Sequence, residues 1–310
     1  MRHPYCLLLD DSLPPQILEK LQGITTIIRP GSEIDAATLR QITTAVASPM
    51  TGMEDSWFER LPALRLIAVF GVGTDRINLK AARARNIDVT TTRNLLTEDV
   101  TDMAFALLLA LTRQIISGDQ MIRTGVWAAG KKLPLGTSLR GKRLGVVGLG
   151  AIGFDIAKRG EAFGMQPRYY NRSPKPQAPW PHHDCVIKLA ENSDILALAI
   201  SATPQTEKII NADVLKALGA KGILINIARG AVVDENALLA ALRDKTIAGA
   251  GLDVFLNEPD IKQAFFDLPN VVLSPHQGSA TIETRTAMGQ CVIDNIAAML
   301  AGKPALTIVN

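Results

Sequence analysis

The residues best suited to chemistry stand in three short motifs in the second half of the chain. They are Asn226-Ile227-Ala228-Arg229-Gly230, Gly251-Leu252-Asp253-Val254-Phe255-Leu256-Asn257-Glu258-Pro259 and Ser274-Pro275-His276-Gln277-Gly278. Arg229 is a permanently charged, planar donor that suits a carboxylate and a developing oxyanion. His276 exchanges a proton near neutral pH, so it serves as general acid in one direction and general base in the other. Glu258, within hydrogen-bonding reach, would orient the imidazole and favour its cation. A cation, a proton donor and a hydride source are what reduction of a 2-keto acid requires. Taken singly, the same residues also suit an ion pair, a turn before Pro259 and a strand end after Pro275.

The hydride source is suggested by Gly148-Leu149-Gly150-Ala151-Ile152-Gly153, a dinucleotide-binding pattern set between an apolar run and a helical one. In such a loop Gly148 permits the tight turn, Gly150 lets the backbone approach a pyrophosphate, and Gly153 lets helix and strand pack closely. The anion would lie over the helix N-terminus, where free N–H groups and the dipole favour negative charge. The next strand pattern ends in Tyr170-Asn171-Arg172-Ser173. NAD sites usually place Asp or Glu here, on the ribose 2′-hydroxyl. Asn171, Arg172 and Ser173 bring no repelling carboxylate, and the guanidinium can pair with a 2′-phosphate, so NADP is preferred over NAD as cofactor.

The elements that must position these groups alternate. Apolar strand patterns at 5–9, 25–28, 44–47, 66–70 and 87–90 are interleaved with helical ones at 15–21, 35–41 and 80–85. A second set has strands at 143–147, 167–170, 194–199, 222–226, 248–254 and 271–273, with helices at 151–163, 212–218 and 235–243. This order predicts α/β units with parallel strands. A long apolar helix capped by Thr97 and another over 281–300 flank the second set. Residues 125–141, which include Trp127, read as a loop or arm, and the proline-rich 173–180 segment as a loop. His3, His182 and His183 read as surface residues. In open parallel sheets ligands bind beyond the carboxyl ends of the strands, so all the motifs point to one crevice.

Composition agrees with a globular protein of two domains. The 310 residues are 47% hydrophobic and 20% charged, with a formal charge of +3. That balance, without a long basic run, argues against nucleic acid. Cys6, Cys185 and Cys291 are far apart, fitting neither a disulfide framework nor a metal site, and suggest a reducing cytoplasm. The apolar run Cys6-Leu7-Leu8-Leu9 is too short to span a membrane and suits a buried strand.

The glycine loop and the three catalytic motifs follow Phe70-Gly71-Val72-Gly73-Thr74-Asp75 and Asn94-Leu95-Leu96-Thr97-Glu98-Asp99-Val100. This ordered set resembles the D-2-hydroxyacid dehydrogenase family over nearly the whole chain. The Tyr170-Asn171-Arg172-Ser173 segment looks most like its NADP-using glyoxylate, hydroxypyruvate and hydroxyphenylpyruvate reductase branch. The resemblance implies two Rossmann-like or flavodoxin-like α/β domains with parallel sheets. A cofactor domain, 98–281, would be inserted into a substrate domain, 1–97 with 282–310. It implies that Arg229 binds substrate, His276 is the acid/base and Glu258 pairs with it. Val72 and Gly73 would offer main-chain N–H groups to the substrate carboxylate. Ala151 and Ile152 would contact the pyrophosphate through the backbone, Ile227 would line the cofactor site, and Asp253 would accept from the nicotinamide carboxamide. A homodimer is implied too, with the long helix and the Trp127 arm at its interface. The chain departs from many members at Ala199-Ile200-Ser201-Ala202-Thr203-Pro204, where they carry Cys-Pro or Thr-Pro, and the cofactor contact near Ile200 stays open.

The expected activity is NADPH-dependent reduction of a small 2-keto acid of the glyoxylate or hydroxypyruvate type. The substrate side-chain pocket would involve Ser48-Pro49-Met50-Thr51-Gly52-Met53. Alternatives on the same scaffold are a phosphoglycerate or formate type of dehydrogenase. In a different class stands a nucleotide-sensing corepressor that uses the fold as a binding module.

Overall fold

The computed structural model describes residues 3–31 and 33–310. The chain divides into two compact units, Met1–Leu96 with Ser279–Asn310, and Thr97–Gly278. The sequence places the breaks at 97/98 and 281/282; the compact units break at 96/97 and 278/279.

The first unit begins β1 (Tyr5–Leu8), α1 (Pro15–Ile24), β2 (Thr26–Ile28), α2 (Ala36–Leu39) and β3 (Ile42–Ala47). It continues with α3 (Ser56–Arg60), β4 (Leu66–Val69), α4 (Leu79–Ala84) and β5 (Asp88–Thr90). The strands form one parallel sheet in the order β2-β1-β3-β4-β5. β4 is buried along its whole length, which explains its unbroken apolar sequence Leu66-Ile67-Ala68-Val69. α3 has no counterpart in the sequence reading. It is five residues long, too short to show a helical period, yet it buries Trp57 and Phe58.

The second unit opens with α5 (Thr97–Thr112) and α6 (Ile115–Arg123). The sequence suggests one long helix capped by Thr97; instead Thr97 is its first residue, and a left-handed Gln114 (φ 55°) ends the run and starts α6. No single helix among the described residues is long and apolar enough to cross a membrane; α5 and α6 reach that composition only as a pair bent by 60°. Then follow β6 (Arg143–Val147), α7 (Ala151–Ala162), β7 (Gln166–Tyr170), β8 (His182–His183), α8 (Val186–Glu191) and β9 (Ile195–Leu198). α9 (Ala212–Leu218), β10 (Ile223–Asn226), α10 (Glu235–Arg243), β11 (Gly249–Leu252) and β12 (Val271–Leu273) complete the unit. α11 (Ile282–Leu300), capped by Thr281, belongs to the first unit, where it packs on α1 and β4.

The seven strands of the second unit are parallel, in the order β12-β11-β10-β9-β6-β7-β8. The order reverses between β6 and β9, and a crevice opens at the carboxyl ends of such a pair. α5 covers the sheet closely: a Cβ at Gly251 would lie 2.9 Å from Leu107 Cβ, so glycine in β11 is what admits the helix. Arg159 of α7 pairs with Asp102 of α5 and with Asp155, tying the glycine-loop helix to that layer.

Candidate active site

Gly148 follows β6 at the reversal point. Its φ is 94°, its N–H donates to the Tyr170 carbonyl (2.9 Å), and a Cβ there would lie 2.8 Å from Ile200 Cα. Ile200 thus abuts the glycine loop through its own backbone. A Cβ at Gly153 would overlap the Gly148 carbonyl, so strand and helix can meet only without it. Gly150 differs, because a Cβ there would meet nothing within 4 Å. Its freedom from a side chain therefore answers no neighbour in the protein and leaves room for a group lying on the N-terminus of α7. Ala151 is exposed and Ile152 half-buried at that helix start. The unpaired N–H groups of the first turn and the open space at Gly150 fit a dinucleotide pyrophosphate.

The three motifs that carry Arg229, Glu258 and His276 follow β10, β11 and β12, on the same carboxyl edge of the same sheet. Asn226, 1% exposed, shapes the first: its Oδ1 accepts from the Ala228 N–H (3.0 Å) and its Nδ2 donates to the Arg229 carbonyl (3.0 Å). Arg229 Nη1 donates to the Ala228 carbonyl at 2.7 Å. Ile227 is buried beneath this turn. Gly230 packs directly on Phe255 and Leu256, where any Cβ would overlap the Phe255 carbonyl. That contact sets the arginine turn against the turn carrying Glu258.

His276 Nδ1 meets Glu258 Oε2 at 2.7 Å. The other Glu258 oxygen accepts from the Phe255 N–H at 2.7 Å. Burial alone would raise the Glu258 carboxyl. The bond to His276, the Phe255 N–H and the positive charges of His276 and Arg229 outweigh it and hold the group below its usual range. Glu258 is thus an anion at neutral pH. With Nδ1 engaged by this carboxylate, Nε2 is the ring nitrogen left for a substrate. His276 adopts a left-handed backbone (φ 55°), held by its N–H to the carbonyls of Asp253 (2.9 Å) and Ser274 (3.1 Å).

Asp253 has a structural task that its sequence motif does not reveal. It is 2% exposed, and its oxygens accept from Ser274 Oγ (2.6 Å), the Gln277 N–H (2.8 Å) and the Gly278 N–H (2.8 Å). Burial raises its carboxyl above the usual range, against these hydrogen bonds. Asp253 therefore ties down the 274–278 turn that displays His276. Glu235 on α10 was not picked out from sequence. It is 7% exposed, and its Oε1 accepts from the Leu256 N–H at 2.7 Å. Two adjacent N–H groups of one turn are thus each held by a carboxylate, Glu258 and Glu235. Only the Val-Asp-Glu stretch opening a helix next to the arginine motif could have signalled it.

Asn171 follows β7, and its Nδ2 donates to the Ser173 carbonyl (3.0 Å); Arg172 and Ser173 are exposed. The two histidines read as surface residues form β8 instead and are half-buried. They pair with the outer side of β7 and make β8 the edge of the sheet, and His182 Nε2 contacts the Asn171 carbonyl at 2.9 Å. In the first unit, Val72 and Gly73 lie in the turn after β4. That turn abuts the loop after β3: Arg76 Nη1 donates to the Met50 carbonyl (2.6 Å), and a Cβ at Gly52 (φ 60°) would overlap Arg76. The 48–53 segment singled out from sequence is therefore held against the chain just after β4, by an arginine that sequence reading did not foresee and by the close approach of Gly71 to Pro49.

Comparison with known proteins agrees with this geometry. The model of the D-isomer specific 2-hydroxyacid dehydrogenase, NAD binding domain, matches residues 105–278. The chain belongs to the D-isomer specific 2-hydroxyacid dehydrogenase family. A 2-ketogluconate reductase of Gluconobacter oxydans is 47% identical over 308 residues, covering 98% of each protein. A hydroxyphenylpyruvate reductase of Plectranthus scutellarioides is 43% identical over 274 residues, covering 88% of this chain and 87% of that one. The NADPH-dependent glyoxylate/hydroxypyruvate reductase of Sinorhizobium meliloti, solved with NADP and malonate, superposes with a TM-score of 0.93. It is 41% identical and the match covers 99% of this chain and 97% of that one. As a 2-hydroxyacid dehydrogenase the chain is an oxidoreductase acting on small hydroxy or keto acids with an NAD(P) cofactor, and both its units have the parallel-sheet α/β architecture expected.

Proposed function

We propose that this 2-hydroxyacid dehydrogenase is an NADPH-dependent reductase of a small 2-keto acid of the glyoxylate or hydroxypyruvate type, yielding the D-2-hydroxy acid. The observation that carries the reading is the 2.7 Å pair of His276 with Glu258, on the sheet edge that also bears Arg229 and the glycine loop. NADPH, when bound, supplies the hydride. Arg229 holds the substrate and polarises its keto oxygen, where negative charge develops. His276 delivers the proton to that oxygen through Nε2, and ionised Glu258 orients the ring through Nδ1. Val72 and Gly73 are the proposed main-chain donors to the carboxylate. For the cofactor we assign Gly148, Gly150, Ala151, Ile152 and Gly153 to the pyrophosphate, Ile227 and Asp253 to the nicotinamide end, and Asn171, Arg172 and Ser173 to the 2′-phosphate. The absence of a carboxylate at 171–173 and the NADP-bound relative from Sinorhizobium meliloti support NADPH over NADH.

The identity with a 2-ketogluconate reductase favours a second reading, a longer, hydroxylated keto acid. Steady-state kinetics with glyoxylate, hydroxypyruvate, 2-ketogluconate and hydroxyphenylpyruvate, each with both cofactors, separates the two. The first reading requires the highest kcat/KM on a short keto acid with NADPH. Equal efficiency with NADH and NADPH would remove the cofactor assignment. A homodimer is part of the proposal, because Ile115, Ile116, Ile122, Trp127 and Leu135 leave large apolar side chains exposed along one stretch of the chain. So is a reducing, cytoplasmic setting, in which the three free thiols persist.

A further inference from the structure

The segment from β7 to β8 is built as a closed hoop. Tyr169, 2% exposed, accepts at its Oη from the Lys175 N–H (2.9 Å), and its own N–H donates to the Pro181 carbonyl (3.0 Å). His182 lies beside Tyr169 in the ladder, with ring centroids 5.2 Å apart. From there its Nε2 reaches the Asn171 carbonyl at 2.9 Å, across eleven residues of chain. Asn171 Nδ2 closes the tip on the Ser173 carbonyl. The proline-rich excursion has an anchor as well: Trp180 Nε1 donates to Glu161 Oε1 (2.9 Å) and the indole packs on Phe154, both on α7. The base of the hoop is fixed to the helix whose N-terminus faces the glycine loop. Arg172 and Ser173 at the tip are exposed, as are Pro174, Pro176, Gln177 and Pro179 of the excursion, while Tyr169 and Trp180 anchor it from within.

We infer that His182 is a positioning residue for cofactor selectivity: its ring holds the Asn171 carbonyl so that Arg172 and Ser173 are presented to a ribose 2′-phosphate. The inference rests on the NADPH reading above. A flexible arginine pays side-chain and loop entropy when it closes on a phosphate, and a tip held in advance by hydrogen bonds spends less. The contribution falls on NADPH far more than on NADH, because NADH offers the tip only a neutral 2′-hydroxyl and no phosphate for the guanidinium.

The test is direct binding to the full chain, by titrating NADPH and NADH separately against wild type, His182→Phe and His182→Gln. Phenylalanine keeps the ring beside Tyr169 and loses the nitrogen; glutamine restores a donor. The expected result is an NADPH Kd raised about three- to tenfold in His182→Phe, the effect of one hydrogen bond. The NADH Kd stays unchanged, and His182→Gln returns to near the wild-type value. In an Arg172→Ala background His182→Phe should add nothing further. Equal weakening of both cofactors, or no change in either, overturns the inference while leaving the NADPH reading in place. A wild type that binds both cofactors equally overturns that reading and, with it, the premise. If His182→Phe does not fold, Tyr169→Phe, which removes the Oη acceptor at the other end of the hoop, must show the same selective loss.

Discussion

His276 takes its place from a left-handed backbone, two main-chain hydrogen bonds and Glu258. For an L residue that backbone costs roughly 1–2 kcal/mol, which the contacts around the turn offset. His276→Ala should lower kcat by roughly 10²–10⁴-fold with cofactor Kd unchanged; near-normal turnover would refute its role. Glu258 sits below the usual carboxylate range in the folded chain. Its contribution to stability is therefore complete above the unfolded value of about 4.3 and is lost as pH falls through the lower folded value. The difference in Tm between wild type and Glu258→Gln should be present near neutral pH and vanish on acidification below about pH 4. Glycines offer a second test. Gly150→Ala meets open space at φ −84°, so its Tm should match wild type while NADPH binding weakens. Gly153→Ala must overlap the Gly148 carbonyl and should lose both stability and binding. Unimpaired NADPH affinity in Gly150→Ala would mean that no pyrophosphate lies there.

At the scale of elements, the active groups depend on turns that brace one another. The Arg229 turn packs through Gly230 on Phe255 and Leu256, and the N–H groups of those two residues are taken by Glu258 and Glu235. Removing Glu235 leaves the Leu256 N–H without its acceptor in a part-buried hydrogen bond, a loss of roughly 1 kcal/mol. Glu235→Ala should therefore lower Tm and kcat together, with the Kd for NADPH held. Glu235→Gln, which keeps a carbonyl for the same N–H, should recover most of both. A drop in Tm with kcat intact would make Glu235 a brace of the fold with no bearing on the catalytic pair.

At the scale of the molecule, the exposed apolar side chains between Ile115 and Leu135 form a stretch that a monomer would leave in water. Trp127 is 64% exposed and Leu135 97% exposed, so neither packs into the core of its own chain. Light scattering on the purified protein should give twice the chain mass, and Trp127→Asp with Leu135→Asp should shift it toward one chain mass or cause aggregation. A monomeric wild type would remove the dimer from the proposal.

The alternation of apolar runs and helical patterns was legible because strands buried on both faces must be continuously apolar, and it led to the two parallel sheets. The placement of Arg229, Glu258 and His276 on one sheet edge was legible because each stands just past a strand, where ligands bind in open parallel sheets. Glycine spacing marked the dinucleotide loop because Gly148 and Gly153 have no room for a Cβ, while Gly150 keeps the space over the helix start open. Apart from the Glu258–His276 pair, which the family resemblance implied, the contacts made across a gap in sequence stayed hidden. α3 and β8 are too short to show a period, and β8 forms only by pairing with the outer side of β7. Gln114 breaks the helix through a backbone angle that composition does not announce. Glu235, Asp253, Arg76 and His182 bond to main-chain groups that folding brings beside them. The sequence by itself determined which groups could do the chemistry and on which edge of the sheet they stand. The tertiary structure alone decided which other side chains hold them there, since that depends on distances no local pattern encodes.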